Sequence, residues 1–526
     1  MHGNSTRENR ETPSTPAANN AVGRLEKAMS PKSNMHVGGE SDGREVPTKC
    51  PNKGGEPSAE GMEGRRSTKE NIGQTTAPRT QSRTGASHGL LGVREVARRE
   101  KRAQFSALLH DVTVPLLRDS FYALKRDAAP GVDGVTWKEY ETDLDRRLED
   151  LHRQLHRGTY RAQPSKRAYI PKADGRQRPL GIAALEDKIV QYAVVTVLNQ
   201  IYEEDFLGFS YGFRPGRSQH DALDALWVGL MRKKVNWVLD ADIRSFFDGI
   251  SHEWMVKFVE HRIADRRILR LIRKWLRAGV SEEGHWSKTE VGTPQGAVVS
   301  PLLANVYLHY AFDLWAQHWR KHHATGDVIV VRYADDIVMG FEQRADAERF
   351  LQEWRDRLRK FGLELHPDKT RLIEFGRHAA ANRKQRGEDK PEVFDFLGFT
   401  HFCGRTRKTG RYIVKRKTIQ KRLRTKLKEL KEELRRRWHE PVAEVGKWLR
   451  SVVQGYFNYH AVPGNLDSLN GFRSEVIWRW YRALRRRSQR SRMTWARFRP
   501  LVARWIPSVT VLHPHPNLRF DARYPR

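Results

Sequence analysis

The stretch VIVVRYADDIVMG, residues 328–340, sets two acidic residues side by side between two apolar runs. Each run has the length and the β-branched content of a buried strand. Asp335 and Asp336 therefore fall at the bend of a hairpin whose arms lie in a core. Adjacent carboxylates are costly to take from water without a counter-charge. Either a basic side chain neutralises the pair or a metal ion does. Taken alone, the dipeptide is equally read as an exposed turn, and the other motifs of the chain decide between the two.

A second stretch has the same character. VNWVLDADI, residues 235–243, reads as a strand that ends in aspartates, within the longer LDADIRSFFDGISH. In a strand, Asp240 and Asp242 share one face, and Asp248 lies beyond a turn. If the two strands are neighbours, Asp242 meets Asp335. Hard oxygen ligands on adjacent strands suit Mg²⁺, which keeps several waters and binds through few carboxylates plus substrate phosphates. Two such ions about 4 Å apart can activate a 3′-hydroxyl and stabilise a leaving pyrophosphate.

The charge balance points to the substrate. Across 526 residues, 96 Lys and Arg face 63 Asp and Glu, a net charge of +33 and a pI near 10.3. An excess of that size fits a polyanionic partner, most simply nucleic acid. It is concentrated in residues 401–526, which hold 32 basic and 8 acidic residues interleaved with six tryptophans. Basic groups mixed with aromatics suit phosphate contact combined with base stacking. The two cysteines, Cys50 and Cys403, exclude a Cys-rich zinc site and a disulfide framework. No apolar run is long enough to span a membrane, and no secretory segment is visible. A cytoplasmic, reducing setting is expected, with association with the nucleoid when the protein acts on DNA.

Residues 1–90 contain no Phe, Trp or Tyr and are expected to be a disordered polar tail. Order is expected from about Leu91, with a basic helix in VREVARREKRAQFSALLHDV. RAYIPKADGRQRPLGI predicts a hairpin with its turn at Asp174-Gly175, and a long helix follows from about Leu185 to Tyr202. Ile419, Leu423, Leu427, Leu430, Leu434 and Trp438 recur every three or four residues, which predicts a one-striped basic helix ending before Pro441. The class is α+β, with strands concentrated between 235 and 400.

The motifs together resemble a known family. YADD looks like the active-site turn of reverse transcriptases. The blocks around it follow the order of the group II intron-encoded reverse transcriptase/maturases: IPKADGRQRPLGIAALEDKIVQ, FSYGFRPGRSQHDAL, ADIRSFFDGISH, GTPQGAVVSPLLANVYLH, GLELHPDKTRLIEF, FDFLGFTHF and GYFNYHAVPGN. The resemblance covers about residues 95–526, with the final tail outside it. It implies a right-hand polymerase. Residues 91–234 would form an N-terminal extension and fingers, 235–405 the palm, and 406–526 a helical thumb or maturase region with a basic C-terminal extension.

Carried over by motif, Asp242, Asp335 and Asp336 match the catalytic, metal-binding aspartates, and the main-chain carbonyl of Ile243 joins them in holding two Mg²⁺ ions. Lys172 and Arg178 match the basic residues that hold the nucleoside triphosphate. Phe247, with Phe246 as the fallback, stands where the family places a gate against the ribose 2′-hydroxyl. Gln295 matches a residue that contacts nucleotide and template. Arg214 and Arg217 stand on a Gly-Pro loop, read as a template-backbone contact or as an exposed structural loop, and Tyr456, Asn458 and Tyr459 resemble maturase positions, with an aromatic helix core as the expected role of the tyrosines. Ala297 departs from the family, which commonly has a second glycine there. The Cys/His endonuclease domain of many members has no counterpart in the C-terminal residues.

The function this implies is RNA-directed DNA polymerase, with RNA template, DNA or RNA primer and dNTPs as substrates. Group II intron RNA is the further partner, whose splicing and mobility the protein would assist. The competing readings are a maturase that only binds RNA and a related reverse transcriptase of a defence system.

Overall fold

The computed structural model describes residues 84–171, 177–282, 285–287, 291–293, 296–487 and 493–524. The expected turn at Asp174-Gly175, together with Lys172 and Gln295, lies outside them, as does all but the last few residues of the expected polar tail. The first helix, Thr84–Arg99, begins seven residues before the expected onset of order.

The described strands are β1 (Ser165–Pro171), β2 (Gln177–Ile182), β3 (Trp237–Asp242), β4 (Val280–Glu282), β5 (His285–Ser287), β6 (Val328–Tyr333), β7 (Asp336–Phe341), β8 (Arg371–Glu374), β9 (Phe394–Phe396), β10 (Phe399–Arg405) and β11 (Tyr412–Thr418). They make three sheets, ordered β2-β1-β4-β5, β6-β7-β3-β8 and β11-β10-β9. The class is mixed α+β, as expected, although strands extend on both sides of the 235–400 window.

The central sheet, β6-β7-β3-β8, is antiparallel throughout. Its side chains alternate between two cores, as strand geometry requires. Val328, Val330, Leu239, Ala241, Ile337 and Met339 face a large core shared with the N-terminal helices. Ile329, Val331, Val238 and Val338 face a second core shared with β10, β11 and the helix Gln219–Arg232. Both faces are thus covered, which is why β6 and β7 read as unbroken apolar runs. Each fully buried aliphatic side chain there contributes about 1.5–3 kcal/mol. That burial fixes the register, because a one-residue slip would exchange the two faces.

The C-terminal helices Gln420–Arg436, Val442–His460, Leu466–Arg485 and Trp495–Trp505 enclose a third core around Leu427, Leu430, Leu449, Phe472 and Trp480. The last described helix, Pro516–Arg523, crosses back to the helix Gln219–Arg232. Arg232 grips Asp521 with two bonds of 2.8 and 2.7 Å, Arg523 pairs with Asp221 at 3.0 Å, and Arg519 with Asp224 at 3.3 Å. Beyond it, the Tyr524 hydroxyl accepts from Arg217 at 3.0 Å and lies 3.3 Å from the Tyr211 hydroxyl. Among the described residues no helix is long and apolar enough to cross a membrane.

Candidate active site

The acidic residues meet at one end of the central sheet. In the β3–β7 pairing Asp242 stands opposite Asp336, and in the β6–β7 pairing Tyr333 stands opposite Asp336. Ala334 and Asp335 form the two-residue turn between them. The sequence suggested Asp242 beside Asp335; the register puts Asp336 directly across from it and Asp335 at the tip. Ala334 adopts a left-handed φ of 55° and Asp335 does not, the pattern of a II′ hairpin turn, where glycine is the usual first residue.

Two contacts hold Ala334 in this conformation. Arg332, wholly buried in β6, donates to the Ala334 carbonyl at 3.1 Å. The backbone of Gly212 lies so close that a Cβ there would stand 2.3 Å from the Ala334 nitrogen. The segment that carries Gly212 is itself bonded to β6: Arg332 N–H donates to Phe209 O at 2.9 Å and Tyr211 N–H to Arg332 O at 2.8 Å. The FSYGF block therefore buttresses the YADD turn from behind.

Arg332 is the hub of this support. Its guanidinium donates to both oxygens of Asp313 at 2.7 and 2.6 Å, to Asn305 Oδ1 at 3.0 Å and to Ser210 Oγ at 2.7 Å. Sequence reasoning missed it, although a lone arginine inside VIVVRY was a visible signal. It satisfies a buried aspartate, Asp313, and leaves the turn aspartates to other partners.

At the acidic edge, Lys369 Nζ donates to Asp242 Oδ2 at 2.6 Å, and Arg371 donates to Asp240 Oδ2 at 3.2 Å. Asp240 therefore sits on the strand bound to a neighbour in β8. Burial, against the pull of Arg371, raises its pKa to about 6. Asp336 still meets solvent, but loss of water around its carboxyl, then repulsion from Asp335 and Asp242, raises it to about 7, with Arg422 opposing. The hydrogen bonds flanking Ile243 run from Arg244 N–H to Glu364 O and from His366 N–H to Asp242 O, both at 2.8 Å. By the alternation of an antiparallel ladder, the Ile243 carbonyl points the opposite way, toward the hairpin turn.

Among the described residues no three acidic, histidine or cysteine side chains already stand as a metal-ligand set, and Asp242 is bonded to Lys369. The donors nevertheless suit Mg²⁺: three carboxylates and a carbonyl, all hard oxygens, whose mutual repulsion a dication would relieve.

Phe246 is buried and belongs to the large core. Phe247 is half-buried, edge-on to Phe246 with ring centroids 5.3 Å apart, so of the two it is the more open to an incoming sugar. Its carbonyl accepts from Thr293 N–H at 2.9 Å, which ties the segment before PQG to the segment after Asp242. Gly296, at φ 105°, stands where a Cβ would lie 3.0 Å from the Gly181 carbonyl of β2. This brings the PQG loop against the hairpin that carries Arg178, which pairs with Ile170 across β1–β2; the Arg178 side chain lies outside the described residues. Ala297 is buried.

Other expectations change. Arg214 is buried and donates to Glu203, Leu207 O and Ser210 O, so it closes the end of the helix Leu185–Asp205 and offers no guanidinium to a template. Glu203 in the last turn of that helix supplies the counter-charge, and the two carbonyls belong to the loop that follows it. Arg217 binds Gly208 O at 2.7 Å and Tyr524. Tyr456 stacks on Phe472 at 3.8 Å and Asn458 accepts from Gln454 at 2.8 Å within the helical region, whereas Tyr459 donates to Leu397 O at 2.7 Å, in the turn between β9 and β10.

A model of the reverse transcriptase (RNA-dependent DNA polymerase) family matches residues 170–401. The chain is 35% identical over 298 residues to protein YkfC of Escherichia coli, a match that spans 49% of this chain and 78% of YkfC. It is 40% identical over 166 residues to the group II intron-encoded protein LtrA of Lactococcus lactis, spanning 31% of this chain and 27% of LtrA. It is 41% identical over 162 residues to an uncharacterized 91 kDa protein in the cob intron of Schizosaccharomyces pombe, spanning 31% of this chain and 20% of that one. The chain thus spans about a quarter or less of the two intron-associated relatives.

Proposed function

The chain belongs to the reverse transcriptase family and carries its RNA-dependent DNA polymerase domain, and from that premise we propose that it extends a primer along an RNA template at the acidic end of the central sheet, and that it also binds group II intron RNA and assists its splicing and mobility. In this reading the central sheet is the palm, the β1–β2 hairpin and its sheet belong to the fingers, and the C-terminal helices form the thumb. The observation that carries it is the convergence of Asp242, Asp335 and Asp336 on one sheet end, where burial and then repulsion from the neighbouring carboxylates raise the pKa of Asp336.

Asp242, Asp335, Asp336 and the Ile243 carbonyl would hold two Mg²⁺ ions, which when bound activate the primer 3′-hydroxyl and neutralise the phosphates. Lys172 and Arg178 hold the triphosphate on the fingers hairpin as charge-assisted donors. Phe247 limits space beside the sugar, and Gln295 contacts nucleotide and template. The intron role rests on the LtrA and cob-intron similarities and on the basic C-terminal region.

Asp335→Ala with Asp336→Ala separates the two activities. This variant should lose cDNA synthesis on a primed RNA while keeping RNA affinity, since two negative charges leave the nucleic-acid side. A group II intron splicing assay at low Mg²⁺ should still respond to it. Undiminished cDNA synthesis would refute the site. Absence of splicing stimulation by the wild-type protein on the intron flanking its gene would remove the intron role.

A further inference from the structure

Two tryptophans in the most basic quarter of the chain stand where packing does not require them. On the helix Leu466–Arg485 the buried stripe is Leu469, Phe472, Val476, Ile477, Trp480 and Leu484. Trp478 lies off that stripe and is 50% exposed. Trp495, first residue of the helix Trp495–Trp505, is 42% exposed. Tryptophan is usually well covered, so two open ones side by side are unusual. Their rings stack at 5.3 Å and 28°, and Tyr481 meets them edge-on at 6.0 and 5.1 Å. Phe498 lies beneath Trp495 at 5.4 Å and anchors the group to the core.

The surroundings are cationic. Arg482 and Arg485, one and two turns beyond Trp478, are exposed, and Arg485 reaches to 5.8 Å from the Tyr481 ring. Arg499 is exposed on the second helix. The helix Trp495–Trp505 contains no acidic residue, and in Leu466–Arg485 the acids are Asp467 and Glu475, the latter paired with Arg479. A rigid aromatic surface ringed by arginines matches an unpaired nucleotide: base on ring, phosphate on guanidinium. A protein partner would have to be acidic and apolar at once, and a closed duplex presents no free base face.

We propose that Trp478 and Trp495, with Tyr481 as a side wall, form a stacking platform for an unpaired RNA base, and that Arg482, Arg485 and Arg499 hold its flanking phosphates. The platform extends the reading of this chain as an RNA-binding polymerase, because it names the form of RNA that the C-terminal region takes. It lies outside residues 170–401, the span of the polymerase family match.

The test compares wild type, W478A, W495A and R482E in binding an unstructured oligoribonucleotide and the same sequence annealed into a duplex, over a range of salt. W478A and W495A each remove a stacking face and no charge. They should weaken single-strand binding about tenfold, with an unchanged slope of log affinity against log salt and little change on the duplex. R482E should flatten that slope, because fewer counterions are released. A base analogue whose fluorescence falls on stacking should be quenched by wild type and less so by W478A. Equal single-strand affinity of W478A, W495A and wild type overturns the platform, even where the wild-type protein extends primers, so its failure is separable from failure of the polymerase reading. An equal loss on the duplex also overturns it, as does a steep change of salt slope in W478A, since either would show a general surface effect in place of base stacking.

Discussion

Replacing Arg332 with methionine tests the support beneath the Ala334–Asp335 turn. Arg332 and Asp313 are both wholly buried, and the pair is bidentate at 2.7 and 2.6 Å. The substitution keeps much of the volume and removes every donor. Asp313 is then left as a buried charge without its cation, a change that costs about 3–5 kcal/mol. Ser210 Oγ, Asn305 Oδ1 and the Ala334 carbonyl lose their bonds as well. Against a total stability of about 5–15 kcal/mol, the urea midpoint should fall sharply. The double change Arg332→Met with Asp313→Leu removes both charges, and should recover most of the loss, because an apolar replacement of a whole buried pair is often neutral. It does not restore the bond to Ala334, so primer extension should stay well below wild type in the stable double variant. Denaturant melts and single-turnover cDNA synthesis at low temperature read the two effects apart. Stability of Arg332→Met within about 1 kcal/mol of wild type would refute the reasoning, since a lone buried carboxylate costs more than that. Full polymerase activity in the double variant would show that the Ala334 contact is dispensable.

Two further outcomes follow from the same site. Gly212→Ala puts a Cβ 2.3 Å from the Ala334 nitrogen, so the turn or its buttress must shift. Primer extension should drop at least tenfold while RNA affinity holds, and an unchanged rate would mean the contact can yield freely. Asp336 has a folded pKa raised to about 7 from 3.8, so its contribution to stability is full below about pH 4 and is lost as pH rises through about 7. Without metal, Asp336→Asn should therefore melt higher than wild type at pH 8 and show little or no advantage at pH 4, and Mg²⁺ at pH 8 should stabilise wild type more than the variant. A pH-independent difference in melting temperature would contradict this.

The parts of the site that were legible in the sequence are those written in local pattern. Two unbroken apolar runs with a polar break placed Asp335 and Asp336 at or beside a hairpin turn, which the structure sets at Ala334–Asp335 with Asp336 opening β7, and an apolar strand ending in LDAD placed Asp242 at a sheet edge. The register between the two strands was less visible, because it depends on which face of each strand meets which core; it brought Asp336, and not Asp335, opposite Asp242. Arg332 and Asp313 were out of reach for a different reason. Pairing between buried charges on a strand and a helix leaves no periodic trace, and only the isolated arginine in an apolar run hinted at it. Arg214 shows the converse error: a Gly-Pro loop suggested an exposed cation, whereas the Glu203 carboxylate and the loop carbonyls of Leu207 and Ser210 drew it inward. The return of Pro516–Arg523 to Gln219–Arg232 had no local signature, since alternating Arg and Asp read as a solvated surface until a partner surface is known.

That return has a consequence for how the protein is made. Residues 217 and 524 are 307 positions apart, and at about 5–20 residues per second the ribosome takes roughly 15–60 s to pass from one to the other. The sheet, the hairpin and Arg332 can assemble in that interval, but the loop at 208–217 still lacks Tyr524, and Asp221 and Asp224 still lack Arg523 and Arg519. The Ala334–Asp335 turn is therefore braced from within long before it is braced from outside. The nascent chain passes through a stage in which its acidic centre is built but its outer support is missing, and the helix Pro516–Arg523 completes it.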